Sequence, residues 1–299
     1  MNSNFILSCE STVDIPYDYV TGRDISVLFY TYILDGAEYE DCMCRSSEEL
    51  KEFYNKLHNG ALPQTSQINE YKYYDYFKDL LQKGDVLHLA FGSGMTPSVD
   101  NAYKAVEKLK GEFPERKITV IDTTCSCSGY GLITDTAADL RDSGKSMEDI
   151  AKWVTDNAHF VHHQFFSTDL KYFKRSGRVS GVAATAASIL GICPLMHLDY
   201  SGKIIAYSKV RGKKNAINAT VDEVLKHAVN GKNYNGKCFI SHSDSPEEAY
   251  ELKKALVAAM PNLKGKIKTY EIGNIIASHC GPGTVAVYFM GDERAENGK

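Results

Sequence analysis

No apolar run in this 299-residue chain is long enough to cross a bilayer. The first residues, Met1-Asn2-Ser3-Asn4, carry no basic region, so no secretory leader is expected. Net charge is also scarce: the formal value of −4 gives no general reason to expect a nucleic acid partner. The eight cysteines form no Cys-x-x-Cys pair, and the two Cys-x-Cys pairs, Cys42/Cys44 and Cys125/Cys127, lack zinc-knuckle spacing. Free thiols in a reducing cytoplasm are therefore expected, with no metal and no cofactor. A Walker loop and a G-x-G-x-x-G turn are missing. So is a Gly-x-Ser-x-Gly elbow, because Gly92-Ser93-Gly94 has the wrong spacing. There is no internal repeat and no low-complexity linker.

What is present reads as an ordinary soluble globular protein, 43% hydrophobic and 24% charged. The length suits two domains, here expected at residues 1–162 and 163–299. Asp85 to Ala90 reads as a buried strand, and Val99 to Leu109 as a helix with Ala102, Val106 and Leu109 on one face. Between them lies Phe91-Gly92-Ser93-Gly94-Met95-Thr96-Pro97-Ser98. Its glycines allow a sharp turn, and free N–H groups and small hydroxyls at a helix N-terminus favour a carboxylate or phosphate. Taken alone, the same turn reads rather as a connection tuned only for packing, because a glycine-rich turn is a weak signal.

Phe5 to Cys9, Ser26 to Leu34 and Lys117 to Asp122 read as further strands. Ser46 with Glu49 forms a capping box opening a helix to about His58. Leu62 to Asn69 is a polar, proline-punctuated loop carrying Thr65 and Ser66, followed by a tyrosine-rich helix from Tyr71 to Gln82. Helices to about Ser143 and from Ser146, the latter with the only tryptophan, Trp153, complete an alternating pattern. That pattern predicts an α/β fold: a doubly wound, mainly parallel sheet in the N-terminal domain. In such sheets ligands sit beyond the carboxyl ends of the strands, where the turns after Cys9, Ala90 and Asp122 would lie.

Past His162 the pattern predicts an α+β domain. Gln164 to Thr168 is a short strand, and Asp169 to Arg178 a basic, aromatic segment closed by glycine. Val182 to Ile192 suits a closely packed helix, and Pro194–Asp199 with Ile204–Val210 a hairpin about Ser201-Gly202. A helix over Lys213 to Val229 follows, then a strand over Lys237 to His242, a helix over Ser245 to Met260 and a strand over Lys266 to Ile272. Ile275 to His279 leads to Cys280-Gly281-Pro282-Gly283 and a last strand, Thr284 to Met290. His279 could donate to a carboxylate or simply bond a backbone carbonyl. Arg211 could neutralise an acid or lie on the surface. Lys171, Lys174, Arg175 and Arg178 form either a docking patch for an acidic partner or a solvated face.

Several landmarks occur together: Ser8-Cys9-Glu10-Ser11-Thr12-Val13-Asp14-Ile15-Pro16, Thr65-Ser66-Gln67, Gly92-Ser93-Gly94-Met95-Thr96, Ile121-Asp122-Thr123, Leu170 to Arg178, and His279-Cys280-Gly281-Pro282-Gly283. In this order and over nearly the whole chain, the sequence resembles the DegV family, which includes the FakB fatty-acid-binding proteins. The resemblance implies a long-chain fatty acid held in a tunnel between the domains, with its carboxylate on Thr65, Ser93 and His279, assisted by Arg211. Ser66, Gly94 and Thr96 would neighbour it. It also implies a protein that is not itself an enzyme but the lipid-binding subunit of a fatty acid kinase system. The partner would be a dihydroxyacetone-kinase-like ATP-binding protein, docked at Lys171, Lys174, Arg175 and Arg178, whose acyl phosphate product enters phospholipid synthesis. Transient contact with a membrane surface is a further expectation. Hydroxyl and imidazole donors would leave a carboxylate oxygen nucleophilic, where a bidentate arginine would shield it. Two alternatives stand beside this reading. One is a serine-dependent hydrolase of a small acyl substrate, using Ser93 with His279 but lacking an evident orienting carboxylate. The other is a sensor of a small acid signalling through residues 171–178.

Overall fold

The computed structural model describes residues 5–181 and 191–296. The chain opens with β1 (Phe5–Glu10), a 3-10 turn (Ser11–Val13), α1 (Tyr17–Gly22) and β2 (Ile25–Leu28). Next come β3 (Thr31–Leu34), β4 (Ala37–Glu40), α2 (Ser47–His58), β5 (Gln64–Ser66) and α3 (Glu70–Leu81). They are followed by β6 (Asp85–Ala90), α4 (Ser98–Glu112), β7 (Ile118–Asp122), α5 (Cys127–Asp142) and α6 (Met147–Asn157). The second half holds β8 (Val161–Ser167), α7 (Lys171–Ser176), β9 (Val179–Gly181), β10 (Ile192–Leu198), β11 (Ile204–Arg211) and α8 (Lys213–His227). It ends with β12 (Cys238–His242), α9 (Pro246–Ala259), β13 (Ile267–Glu271), α10 (Asn274–Cys280) and β14 (Thr284–Met290). Among the described residues no helix is long and apolar enough to cross a membrane.

The first sheet is wholly parallel, in the order β2-β1-β6-β7. Its central strands are buried at almost every position because both faces are covered. On one face His88 of β6 meets the rings of Tyr73, Tyr76 and Phe77 of α3, at centroid separations of 5.9, 6.3 and 5.0 Å. Three of the helices, α2, α3 and α6, start where a side-chain oxygen satisfies a free N–H group. Ser46 accepts from Glu49 N at 3.2 Å, Asn69 from Lys72 N at 2.9 Å and Ser146 from Asp149 N at 3.1 Å.

The single strand expected from Ser26 to Leu34 is two strands in different sheets. β2 stops at Leu28, and at Tyr30 the backbone turns to other partners. Its N–H donates to Ser11 Oγ at 3.2 Å and its carbonyl accepts from Asp41 N at 3.0 Å. β3 then joins a separate antiparallel sheet, β4-β3-β5. Asp35 and Gly36, both in the left-handed region at φ 53° and 81°, close its β3–β4 hairpin, and the expected loop around Thr65 supplies β5.

The second half forms a seven-stranded mixed sheet, β13-β12-β14-β8-β10-β11-β9. Only β12/β13 and β11/β9 are parallel. β8 begins at Val161, three residues before the strand expected from Gln164. The helix expected over Val182 to Ile192 lies outside the described residues except for Gly191, in a turn at φ 79°, and Ile192, which opens β10. The chain is thus an α/β protein with a parallel first sheet and a separate mixed sheet.

α5 joins the two. Toward the first sheet, Ser128 Oγ donates to Asp14 O at 2.6 Å, and Tyr130 Oη accepts from Glu10 N at 2.9 Å. Toward the second, Cys127 Sγ lies 3.3 Å from Ser241 Oγ of β12. Gly129 sits so close to β8 and β14 that a Cβ there would lie 2.3 Å from His163 Nε2 and 2.7 Å from Tyr288 Cδ1.

Candidate functional site

Two segments distant in sequence meet at one place because their neighbours are tied together. The start of α10 is held to the first half: Gly273 N donates to Asp14 Oδ1 at 2.9 Å, Cys42 N to Asn274 Oδ1 at 3.2 Å, and Tyr54 Oη to Ile272 O at 2.5 Å. Its far end is held by α7. Arg175 donates to Pro63 O at 3.1 Å and Ser278 O at 3.3 Å, and Tyr172 Oη to Leu57 O at 2.7 Å. Gly281, at φ 66°, lies flush on the Tyr172 ring, where a Cβ would come within 2.2 Å of Cδ2. Only glycine meets both demands. With the segment before β5 and the end of α10 clamped to the same helix, Thr65 Oγ1 and His279 Nε2 come 2.8 Å apart.

This pair opens on a cavity of about 90 Å³ between the first-half loops and the second sheet. Its polar lining is Thr65, Ser66, Gln67, Thr96, Ser126, Arg178 and His279, with Tyr30 beside them. The cavity continues into a second of about 50 Å³, with Ser126, Phe173, Ile204, Ile276 and Cys280 lining both. Phe165, Leu198, Ile272, Ala286 and Tyr288 make the deeper part mainly apolar, with His163 and Thr284 among them. Hydroxyl, imidazole and guanidinium groups thus stand at one end of a hydrophobic space. Burial, then the charges of Arg178 and Arg175, push the His279 imidazole down to about 4, so the ring is neutral at pH 7.

Below the cavity lies a buried carboxylate. Glu10, 1% exposed, accepts from Phe91 N at 3.0 Å, Tyr30 Oη at 3.2 Å and Tyr73 Oη. His88 Nε2 lies 3.3 Å away, and its Nδ1 is 2.7 Å from Ser8 Oγ. Burial of this group is tolerated because both carboxyl oxygens are hydrogen-bonded. It fixes Tyr30 and Phe91, both on the cavity wall.

Other expected site residues are placed differently. Ser93 is exposed and lines neither cavity; its N–H donates to Asp122 Oδ1 at 3.1 Å. Its turn is clamped. A Cβ on Gly94 would lie 2.4 Å from Ser201 O, and one on Gly92 would lie 2.8 Å from Cys125 O. Gly94 therefore serves close packing against the β10–β11 hairpin turn. Arg211 is exposed at the end of β11, seven residues and roughly 23 Å of strand from Ile204 on the cavity wall. The cation that does line the cavity is Arg178. The basic quartet therefore divides. Lys171 and Lys174 are exposed on α7, Arg175 holds backbone carbonyls, and Arg178 is at the cavity. Cys125 and Cys127 are buried free thiols, and burial pushes Cys125 up to about 12, so neither is a ready nucleophile.

Sequence reasoning missed Arg178, Tyr30 and Phe91 as cavity residues. The signal for the last two was Glu10, an acid at the end of a buried apolar strand, which requires partners on the neighbouring strands.

A family model described as uncharacterised protein, DegV family, matches residues 7–292. A DegV domain-containing protein of Clostridium perfringens is 34% identical, covering 97% of this chain and 98% of its own. Among solved structures, a fatty-acid-binding DegV family protein from Thermus thermophilus aligns with a TM-score of 0.83 at 24% identity, over 96% of this chain and 99% of its own. A stearic acid-binding protein from Eubacterium ventriosum aligns at 0.84 and 20% identity, over 96% and 98%. With sequence and architecture matched from end to end, the chain belongs to the DegV family.

Proposed function

We propose that this protein binds one long-chain fatty acid in the cavity between its two halves and presents the carboxylate to a separate ATP-dependent fatty acid kinase. The observation that carries this reading is the amphipathic cavity, with the Thr65–His279 pair at its polar end and apolar side chains beyond. Relatives of the same fold that bind fatty acids, from Thermus thermophilus and Eubacterium ventriosum, support it. In the proposed complex His279, protonated on Nε2, donates to Thr65 Oγ1 and leaves the threonine hydroxyl hydrogen free for the carboxylate. Arg178 adds positive potential, in the role the resemblance gave to Arg211. Hydroxyl donation leaves one carboxylate oxygen available as a nucleophile. The acyl chain supplies most of the affinity, at about 0.8 kcal/mol per buried methylene. The exposed Lys171 and Lys174, on the helix whose Phe173 lines the cavity, serve to dock the kinase. A serine hydrolase draws less support, since His279 Nε2 faces Thr65 while Ser93 is exposed and outside the cavity.

The test is mass spectrometry of lipid extracted from purified protein, followed by acyl phosphate formation on adding a fatty acid kinase. A stoichiometric fatty acid that is phosphorylated only with both proteins present supports the proposal. A protein that carries none and fails to bind added oleate or palmitate refutes it.

A further inference from the structure

We infer that His162, His227 and Asp292 form a binding site for a zinc-class divalent transition metal on the face of the second sheet turned away from the cavity. Successive residues of a strand face opposite ways. His163 and Phe165 of β8 face α5 and the cavity, so His162 points to the other side, where α8 packs. There His162 Nε2 and His227 Nδ1 each stand 2.9 Å from the same oxygen, Asp292 Oδ1, and His162 Nε2 also lies 2.9 Å from Asp292 O, a hydrogen bond that a bound ion would displace. All three donor atoms lie within 4.8 Å of one another, the only such group among the described residues. A tetrahedral zinc ion with bonds of roughly 2.0–2.1 Å sets its ligands about 3.3 Å apart. Two edges of the triangle are therefore within a few tenths of an ångström of that spacing.

The surroundings are those of a ligand set. Glu223, one turn earlier on α8, has Oε2 3.3 Å from His227 Nε2. A carboxylate in that position holds the proton on Nε2 and leaves Nδ1 free to coordinate. The chain reaches the two rings only because residue 291 is glycine. A Cβ there would lie 2.5 Å from His227 O and 2.6 Å from His162 Cδ2. Asp292 is 60% exposed, which gives the ion a way in from solvent and a position for a water as fourth ligand. The spacing 162, 227, 292 resembles no compact metal motif, so nothing in the sequence announces the site. Two residues on, Arg294 donates to Thr124 O at 3.0 Å and Thr124 Oγ1 at 2.6 Å. A bound ion would brace the segment that holds the turn before α5.

The test uses chelator-stripped full-length protein titrated with Zn2+ by calorimetry and with Co2+ by visible absorption. One ion per chain is expected, with a tetrahedral cobalt spectrum and no thiolate charge-transfer band. Asp292→Asn and His227→Gln are each expected to weaken binding at least tenfold, with circular dichroism unchanged. Glu223→Gln should weaken it by about tenfold. The absence of stoichiometric binding, a thiolate band, or undiminished affinity in both Asp292→Asn and His227→Gln would overturn the inference.

Discussion

Replacing Thr65 with valine keeps the branched shape and removes one hydroxyl from the cavity's polar end. In the free protein the change breaks the 2.8 Å contact with His279, a loss of about 1 kcal/mol. Thr65 is only half-buried, so its strand tolerates the swap. In the complex the variant also lacks the donor to the carboxylate. Hydrogen bonds to charged groups contribute about 1.5–3 kcal/mol, so fatty acid affinity should fall roughly tenfold to 150-fold. The apolar wall is untouched, so the corresponding fatty alcohol should bind variant and wild type alike. Competition against a fluorescent fatty acid, with acid and alcohol of one chain length, separates the two contributions. A Thr65→Val protein that binds the acid within twofold of wild type would refute the role given to this hydroxyl.

Gly94→Ala places a Cβ 2.4 Å from backbone atoms of the Ser201-Gly202 turn and should cost about 2 kcal/mol. Gly111→Ala, in α4 with nothing within 4 Å, should instead stabilise by about 0.5–1 kcal/mol; urea unfolding reads both. For His279 the folded value near 4 lies below the ordinary 6.5, so the fold favours the neutral ring. That contribution is complete above pH 6.5 and is lost as pH falls toward 4, by about 3 kcal/mol. His279→Gln should therefore show a shallower acid decline than wild type, and an identical decline would count against the assignment. Lys174→Glu should leave fatty acid affinity unchanged while lowering kinase-dependent acyl phosphate formation. Arg175→Ala should lower both, because Arg175 holds the carbonyls of Pro63 and Ser278 beside Thr65 and His279. Equal effects of these two variants on affinity would remove the distinction between docking and positioning.

Local chemistry made much of the fold legible. Ser46 caps α2 because a hydroxyl three residues before Glu49 can satisfy its N–H, and the β10–β11 hairpin turns at Ser201-Gly202 because Gly202 adopts φ 76°. The early part of β8 was hidden because His162 and His163 are polar yet buried, each hydrogen-bonded to a distant element, Asp292 O and Ser126 N. The third sheet was missed because Thr31 to Leu34 has the same β-branched and aromatic character as the strand before it. The signal was Asp35-Gly36, a hairpin dipeptide that ends the strand. Thr65 and His279 were legible as polar groups beside turn residues, while their pairing across 214 positions depends on α7 binding both flanks. Arg211 illustrates the limit. A cation at a strand end is easy to see, but only the direction of β11 places Ile204, and not Arg211, at the cavity.

The contact of Gly129 with His163 and Tyr288 also governs how a ligand would leave. α5 is packed on β8 and β14 with no room for a single added carbon at Gly129, so parting it from the second sheet would break a close-packed contact. On the proposed reading the thin side of the enclosure is α7, six residues with one of them on the cavity wall. If that segment opens locally to let the proposed ligand out, residence time would follow its opening free energy. Loosening the stack of Tyr172 on Gly281 would then speed release and also slacken the clamp that brings Thr65 to His279.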